Sequence, residues 1–82
     1  MQVIIKYFAS IREAIGQDSD HRETAATTLA GLRDELLASG PTYACLSRGR
    51  AVRMALGQVM SDDSALLSPG CEVAFFPPVT GG

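Results

Sequence analysis

The sequence predicts an α+β fold in two layers, with one β-sheet packed on a single long amphipathic helix. Leucines recur at helical spacing between residues 29 and 37, which gives the chain one strong apolar stripe. Strand-like runs stand near both ends of the chain, and weaker ones lie between them. Because one face of a twisted sheet can cover one apolar stripe, two layers are the economical packing.

The first strand is predicted over residues 2–9, and a short helix follows it. The odd positions of the strand are apolar and should face the core. The even positions include a lysine and should face outward, namely Ile4, Lys6 and Phe8. Ser10-Ile11-Arg12-Glu13 has the pattern of a capping box, in which the Ser10 hydroxyl accepts a hydrogen bond from the Glu13 amide. Gly16 is expected to end this helix.

An edge strand and the main helix are predicted next. Residues 20–26 are polar, and their charged side chains would discourage pairing with another sheet. Thr27 or Thr28 is expected to cap the main helix, and Ser39-Gly40-Pro41 is expected to end it. Residues 42–47 should add one helical turn.

A hairpin is predicted in the second half of the chain. Residues 51–56 are predicted to form a half-buried strand, in which Val52, Met54 and Leu56 face inward and Arg53 and Ala55 face outward. Gly57-Gln58 is expected to turn the chain into a short return strand at Val59-Met60. The polar residues 61–64 are interpreted as a further turn.

The last strand follows a predicted type II turn at Ser68-Pro69-Gly70-Cys71. Its alternation places Phe75 toward the core and Phe76 outward. The two end strands are the most apolar, so they should occupy the middle of the sheet. Phe8 and Phe76 would then share the outer face with Ile4, and such an exposed apolar patch is typical of a partner surface.

Composition and charge limit the possible partners. A chain of 82 residues with 46% hydrophobic residues fits one globular domain, and a net charge of −2 argues against nucleic acid. Arg48, Arg50 and Arg53 cluster locally, which fits either a solvated turn or contact with an acidic partner protein.

No apolar stretch approaches the ~20 residues of a membrane span, and no signal-peptide pattern is present. We expect a cytoplasmic protein with no membrane partner.

Metal binding is not expected. Cys45 and Cys71 lie far apart, without a CxxC motif, and the sequence has one histidine. A structural zinc site or an iron–sulfur cluster needs about four ligands. The two cysteines are interpreted as small core or surface residues, and a disulfide is the alternative.

The end of the sequence predicts a tail. Pro77-Pro78 should end the last strand, because proline cannot donate a ladder hydrogen bond, and should hold the following chain extended. The four remaining residues could reach about 13–14 Å. Gly81 and Gly82 lack side chains, so a carboxylate at this end could enter a narrow site of another protein, although a frayed end is the alternative. We therefore expect a domain over residues 1–76 and a flexible tail over residues 77–82.

Two segments resemble the family of molybdopterin synthase small subunits. They are Tyr7-Phe8-Ala9-Ser10-Ile11-Arg12-Glu13 and Glu72-Val73-Ala74-Phe75-Phe76-Pro77-Pro78-Val79-Thr80-Gly81-Gly82. The resemblance covers the whole chain, and the second segment is the more specific. It implies a ubiquitin-like β-grasp fold with a mixed sheet.

The resemblance also implies a chemistry at the last residue. Gly82, next to Gly81, would be adenylated by an activating enzyme that uses ATP and Mg, and then converted to a thiocarboxylate. Its sulfur would be donated, inside a large catalytic subunit, to cyclic pyranopterin monophosphate to form the dithiolene of molybdopterin. The small subunit would need no catalytic side chain and no tightly bound cofactor or metal. The expected assembly has two small and two large subunits.

The same resemblance implies an apolar docking surface and a tail that enters the partner. The expected partner-binding residues are Phe8, Arg12, Met60, Phe76, Pro77, Pro78, Val79 and Thr80. Arg12 would pair with an acidic residue of the partner, and the alternative is a solvated helix residue.

Two other functions are open to a chain of this kind. One is a sulfur carrier for thiamine or another sulfur product, for which the Phe-Phe-Pro-Pro-Val-Thr approach is not expected. The other is a ubiquitin-like modifier attached to lysines of other proteins. The fate of Gly82, as a thiocarboxylate or in an isopeptide bond, distinguishes these functions.

Overall fold

The structure is a computed structural model that describes residues 1–47 and 51–78. Its elements follow the predicted order. They are β1 (Gln2–Tyr7), α1 (Ala9–Ile15), β2 (Ser19–Glu23), α2 (Leu29–Ser39), a 3₁₀ helix (Pro41–Leu46), β3 (Arg53–Leu56), β4 (Val59–Ser61) and β5 (Glu72–Phe76).

β1 and β5 lie in the middle of the sheet, whose strand order is β2-β1-β5-β3-β4. These two strands run parallel, with Tyr7 beside Phe75, and the other neighbouring strands are antiparallel. The predicted central position of the two end strands is therefore confirmed, and so is the mixed sheet. β2 lies at one edge of the sheet, as predicted.

The core lies between α2 and one face of the sheet. Phe75 is fully buried and its ring stacks on Tyr7 at a centroid distance of 6.4 Å, whereas Phe76 on the opposite face is only partly buried. The predicted facing of both phenylalanines is therefore confirmed. The largest fully buried side chains are Tyr7, Phe75, Ile5, Leu29, Leu32, Leu36, Leu46, Val3 and Val73.

Three helix ends lie where the sequence predicts them. The Thr28 hydroxyl accepts a hydrogen bond from the Gly31 amide at 3.1 Å and caps α2. α2 ends at Ser39 with Gly40 next, as predicted. Gly16 ends α1 with φ of 89°, a left-handed conformation that favours glycine.

The predicted capping box at the start of α1 is wrong. The helix begins at Ala9, and Phe8 occupies the N-cap position without a side-chain hydrogen bond. The Phe8 carbonyl accepts hydrogen bonds from the amides of Ile11 at 3.1 Å and Arg12 at 3.2 Å. Ser10 therefore already lies inside the first turn and cannot cap it. The first strand is correspondingly shorter than predicted.

Two further strands are shorter than predicted. β2 ends at Glu23, and the amide of Thr24 donates to the Met1 carbonyl at 2.8 Å. β3 begins at Arg53, which pairs with Phe76 at the end of β5. A longer β3 would have to pair with Pro77, which has no amide hydrogen to donate.

Arg33 of α2 is buried and holds the 3₁₀ helix in place. Its Nε donates to the Leu46 carbonyl at 2.5 Å, and its Nη2 donates to the Ser47 carbonyl at 2.9 Å. Its Nη1 lies 3.7 Å from Oδ1 of Asp63. A buried cation is costly unless it is paired and hydrogen-bonded, and these contacts meet that requirement.

Glu35 connects α2 to the edge strand β2. Its carboxylate accepts hydrogen bonds from Thr24 Oγ1 at 2.7 Å and from Arg22 Nε at 3.1 Å. Burial alone would raise the pKa of Glu35, but the hydrogen bonds from Thr24 and Arg22 outweigh burial and hold the pKa below its ordinary value of 4.5. The folded protein therefore favours the charged form of Glu35.

Replacing the buried ring of Phe75 should strongly reduce the free energy of unfolding. We expect Phe75→Ala to lower the free energy of unfolding by about 3–5 kcal/mol, because it removes a fully buried aromatic side chain and leaves a cavity. Chemical denaturation followed by circular dichroism measures this change. Phe76→Ala is the matched control, and an equal loss in both variants would contradict the assigned facing.

The Glu35 contacts should contribute stability in a defined pH range. A carboxyl group with a lowered pKa stabilises the folded state above its ordinary pKa, and this contribution is lost as pH falls through the folded value. Glu35→Gln should therefore unfold at a lower temperature than the native chain near neutral pH, and the difference should narrow below about pH 4.5. Glu13→Gln, at an exposed position of α1, is the control. A difference that stayed constant with pH would contradict this role of the Glu35 charge.

Candidate functional site

The outer face of the sheet carries several apolar side chains, with Lys6 beside Ala74 and Glu72 beside Ile4 on the same face. The strand register places Met60 beside Ala55 and Ala55 beside Ala74 in one row, and Phe76 lies in the next row beside Arg53. The two alanines lie in the middle of this surface, where Ala55 is only 7% exposed, and Met60 at its side is 54% exposed. We call this surface the outer patch, and its members are Ile4, Phe8, Ala55, Met60, Ala74 and Phe76.

Phe8 and Phe76 form an aromatic pair within the outer patch. Their ring centroids are 6.4 Å apart and the ring planes meet at 84°, an edge-to-face arrangement that is favourable for aromatic rings. Phe8 is nevertheless 45% exposed. The predicted sharing of one face by these two residues is confirmed.

Two weak ion pairs lie beside members of the outer patch. Arg12 Nε is 3.7 Å from Asp18 Oδ1, and Lys6 Nζ is 3.9 Å from Glu72 Oε1. Exposed ion pairs of this kind contribute about 0–1 kcal/mol to stability. A charged residue of a partner could therefore replace one member of such a pair at little cost in free energy. A shallow cavity of about 280 Å³ lies between them and is lined by Lys6, Tyr7, Phe8, Arg12, Asp18 and Ser19.

The tail begins beside the outer patch. Pro77 and Pro78 follow Phe76 and are both partly buried. Pro77 forms one wall of an open groove of about 240 Å³, whose other lining residues are Ser10, Ile11, Ala14, Cys45, Ala51 and Val52. The predicted site residues Val79, Thr80, Gly81 and Gly82 lie outside the described residues, as do Arg48 and Arg50. Their roles stay predictions.

The described residues contain no candidate metal site. Within residues 1–47 and 51–78, no three His, Cys, Asp or Glu side chains come together in a way that could hold a metal ion. Burial raises the pKa of the Tyr7 hydroxyl, so Tyr7 is a neutral core residue rather than an acid or base. Cys45 and Cys71 are both partly buried and are not joined in a disulfide within the described residues.

Sequence reasoning missed part of the outer patch. Alternation along each strand predicts that Ala55 and Ala74 face outward, but their pairing depends on the register between β3 and β5. Small residues give no signal of a partner surface when they are seen one at a time. Only the adjacent placement of the two alanines between Met60 and Phe76 reveals the shape of the patch.

Comparison with known proteins identifies the family. The model of the ThiS family matches residues 5–82. The chain belongs to the ThiS family. Two curated relatives of this ThiS-family protein are both named molybdopterin synthase sulfur carrier subunit. The relative from Haemophilus influenzae is 35% identical over 79 residues, and the one from Escherichia coli is 33% identical over 78 residues. Each comparison covers 95% of this chain and 96% of the relative.

Solved structures share the fold of this ThiS-family protein. The crystal structure of SAMP1 from Haloferax volcanii superposes with a TM-score of 0.80 at 22% identity, and the match covers both chains completely. A structure described as the complex of subunits 1 and 2 of molybdopterin-converting factor from Helicobacter pylori superposes with a TM-score of 0.70 at 24% identity, again over both chains. The ubiquitin-like β-grasp prediction is thereby confirmed.

Among the residues that the structure describes, every helix is too short or too polar to cross a bilayer.

Proposed function

We propose that this ThiS-family protein is the sulfur carrier subunit of a molybdopterin synthase. The observation that carries the proposal is the place where the tail begins, since Pro77 directly follows Phe76 of the outer patch. A partner that covers the outer patch therefore lies next to the tail. The two curated relatives support the proposal, because they bear this name and are similar over nearly the whole chain.

The chemistry requires a free glycine carboxylate and an activating step. A carboxylate is a poor electrophile, so an adenylating enzyme that uses ATP and Mg first joins the carboxylate of Gly82 to AMP and releases pyrophosphate. A sulfur donor then displaces AMP, and one oxygen of the carboxylate is replaced by sulfur. The thiocarboxylate sulfur then bonds to a carbon of cyclic pyranopterin monophosphate, and water cleaves its bond to the Gly82 carbonyl, which leaves the sulfur on the pterin and restores the Gly82 carboxylate. Gly81 and Gly82 keep this end of the chain narrow.

The receiving partner is proposed to be a large catalytic subunit. The Helicobacter pylori structure, a complex of subunits 1 and 2, illustrates such an assembly for a protein of the same fold. In this proposal Phe8, Met60 and Phe76 are buried against the large subunit, while Arg12 exchanges Asp18 for a carboxylate of the partner. The remaining tail residues, Pro77, Pro78, Val79 and Thr80, enter the partner. The assembly contains two small and two large subunits, and we place it in the cytoplasm.

The domain contributes positioning rather than bond making. The β-sheet holds the start of the tail, and the partner's pocket holds the reacting atoms close together, which is how proximity lowers a reaction barrier. With this division of roles, the carrier needs no catalytic side chain of its own. A sulfur carrier for another product and a protein modifier share the first activation step and differ in what receives Gly82.

The fate of the last residue tests the proposed function. We expect the native chain, incubated with an adenylating enzyme, ATP and a sulfur donor, to gain the mass difference between sulfur and oxygen. A variant with one residue added after Gly82 should show no such mass increase, because its Gly82 carbonyl lies in a peptide bond. A variant without Gly82 should be nearly as poor, since its carboxylate ends about 3.5 Å short of the reacting position. Intact-protein mass spectrometry measures all three.

Two results would contradict the carrier proposal. One is sulfur in the extended variant without prior trimming to Gly82. The other is a native chain that becomes joined to lysines of other proteins and yields no molybdopterin with the large subunit and cyclic pyranopterin monophosphate. The second result would favour the protein modifier.

A charge placed in the outer patch should weaken docking more than folding. We expect Phe76→Asp to reduce affinity for the large subunit by at least about tenfold, because a buried carboxylate replaces a central aromatic contact. Isothermal titration calorimetry measures the affinity, and thermal unfolding reports the fold. Leu66→Asp is the matched control, since Leu66 is 72% exposed and lies outside the patch. Equal losses of affinity in both variants would argue against this docking surface.

A further inference from the structure

The junction between β1 and α1 is unusually short. β1 ends at Tyr7 and α1 begins at Ala9, so Phe8 alone lies between them. Connections between a strand and a helix usually take about 2–6 residues. The change of chain direction must therefore be made within one or two residues.

Ala9 makes this change with a left-handed backbone. Its φ is 51°, in a region that glycine adopts freely and that residues with a side chain adopt only with strain. The side chain of Ala9 is exposed, so burial of its methyl group does not account for the conformation. Strain of this kind persists where the surrounding structure enforces it, and it is concentrated at functional sites.

The backbone of Phe8 is fixed from both directions. Its amide donates to the Phe75 carbonyl at 3.1 Å, which continues the pairing of β1 with β5 beyond Tyr7. Its carbonyl accepts from the amides of Ile11 and Arg12 and so begins α1. Because the strand pairing continues through Phe8, alternation places its ring on the outer face against Phe76.

This arrangement is poor for the helix and favourable for the aromatic pair. A Ser, Thr, Asp or Asn side chain at the N-cap position would bond a free amide of the first turn, and the Phe8 ring cannot. Ser10, which could cap a helix that began later, lies within the helix instead. A later start would free Phe8 from the strand pairing and from its contact with Phe76. The usual preference for a capping side chain at the start of a helix is therefore not met at Phe8, which is a member of the outer patch. Departures of this kind from local preference are expected at functional sites.

We propose that Ala9 is a positioning residue whose left-handed backbone preorganises the Phe8–Phe76 pair for docking. A ring that already stands in its bound arrangement loses less side-chain freedom when the partner binds. This inference deepens the proposed function and rests on it for the identity of the docked partner. The geometry of the rings belongs to the free chain and can be measured without the partner.

The test compares substitutions that tolerate or resist a left-handed backbone. Ala9→Gly and Ala9→Asn tolerate it, whereas the β-branched side chain of Ala9→Val resists it. Ala14→Val is the matched control, because Ala14 is an exposed residue inside α1. Nuclear Overhauser contacts between the Phe8 and Phe76 rings report the pair in the free chain, and calorimetry reports affinity for the large subunit. Both are measured at a temperature where each variant is folded.

We expect the variants to separate by backbone tolerance. Ala9→Gly and Ala9→Asn should keep the ring contacts and the native affinity, with an unfolding midpoint equal to or above that of the native chain. Ala9→Val should lose the ring contacts and about tenfold in affinity, as expected for strain of this kind. Ala14→Val should keep both. If Ala9→Val does not fold, Ala9→Leu, which resists the left-handed region less strongly, replaces it in both measurements.

Two outcomes would overturn the inference. Ring contacts and affinity that are both retained in Ala9→Val would show that the left-handed backbone is not needed. Reduced affinity with intact ring contacts would show that position 9 acts other than by orienting Phe8. If the native chain did not bind the large subunit, the proposed function would fail by that measurement alone, and the ring contacts of the variants would still decide the role of Ala9.

Discussion

The parallel pairing of β1 with β5 is the constraint on which the rest of this structure depends. It brings the last strand into the middle of the sheet, beside the first strand. Because side chains alternate along β5, the strand that buries Phe75 in the core must also place Phe76 on the outer face, immediately before the tail. The Phe8 amide donates to the Phe75 carbonyl, so the same pairing brings the second ring to that face.

The scaffold around this pair is held by polar contacts that leave the outer face unchanged. Arg33 fixes the 3₁₀ helix from the side of α2, and Glu35 secures the edge strand β2 through Thr24 and Arg22. Both residues belong to α2, which packs on the opposite face of the sheet. The outer patch can therefore stay apolar and available to a partner, because no element of the described fold has to cover it.

Local signals in the sequence predicted much of this fold, and long-range contacts account for what they missed. Thr28 and Gly16 act at helix ends as expected, since capping depends on neighbouring residues. The capping box at Ser10 failed because the strand pairing of Phe8 starts α1 earlier. Burial of Arg33 depends on carbonyl groups far along the chain, and no local pattern reveals it. The resemblance near the tail predicted the family, whereas the shape of the outer patch required the register of the sheet.

The central claim is that one face of the sheet builds the core and the other receives the partner. Methyl chemical shifts of the free chain, followed as the large subunit is added, test this claim most directly. The account predicts changes at Ile4, Ala55, Met60 and Ala74, with little change at Ala38 on the exposed side of α2. Changes at Ala38 with an unaffected outer patch would contradict it.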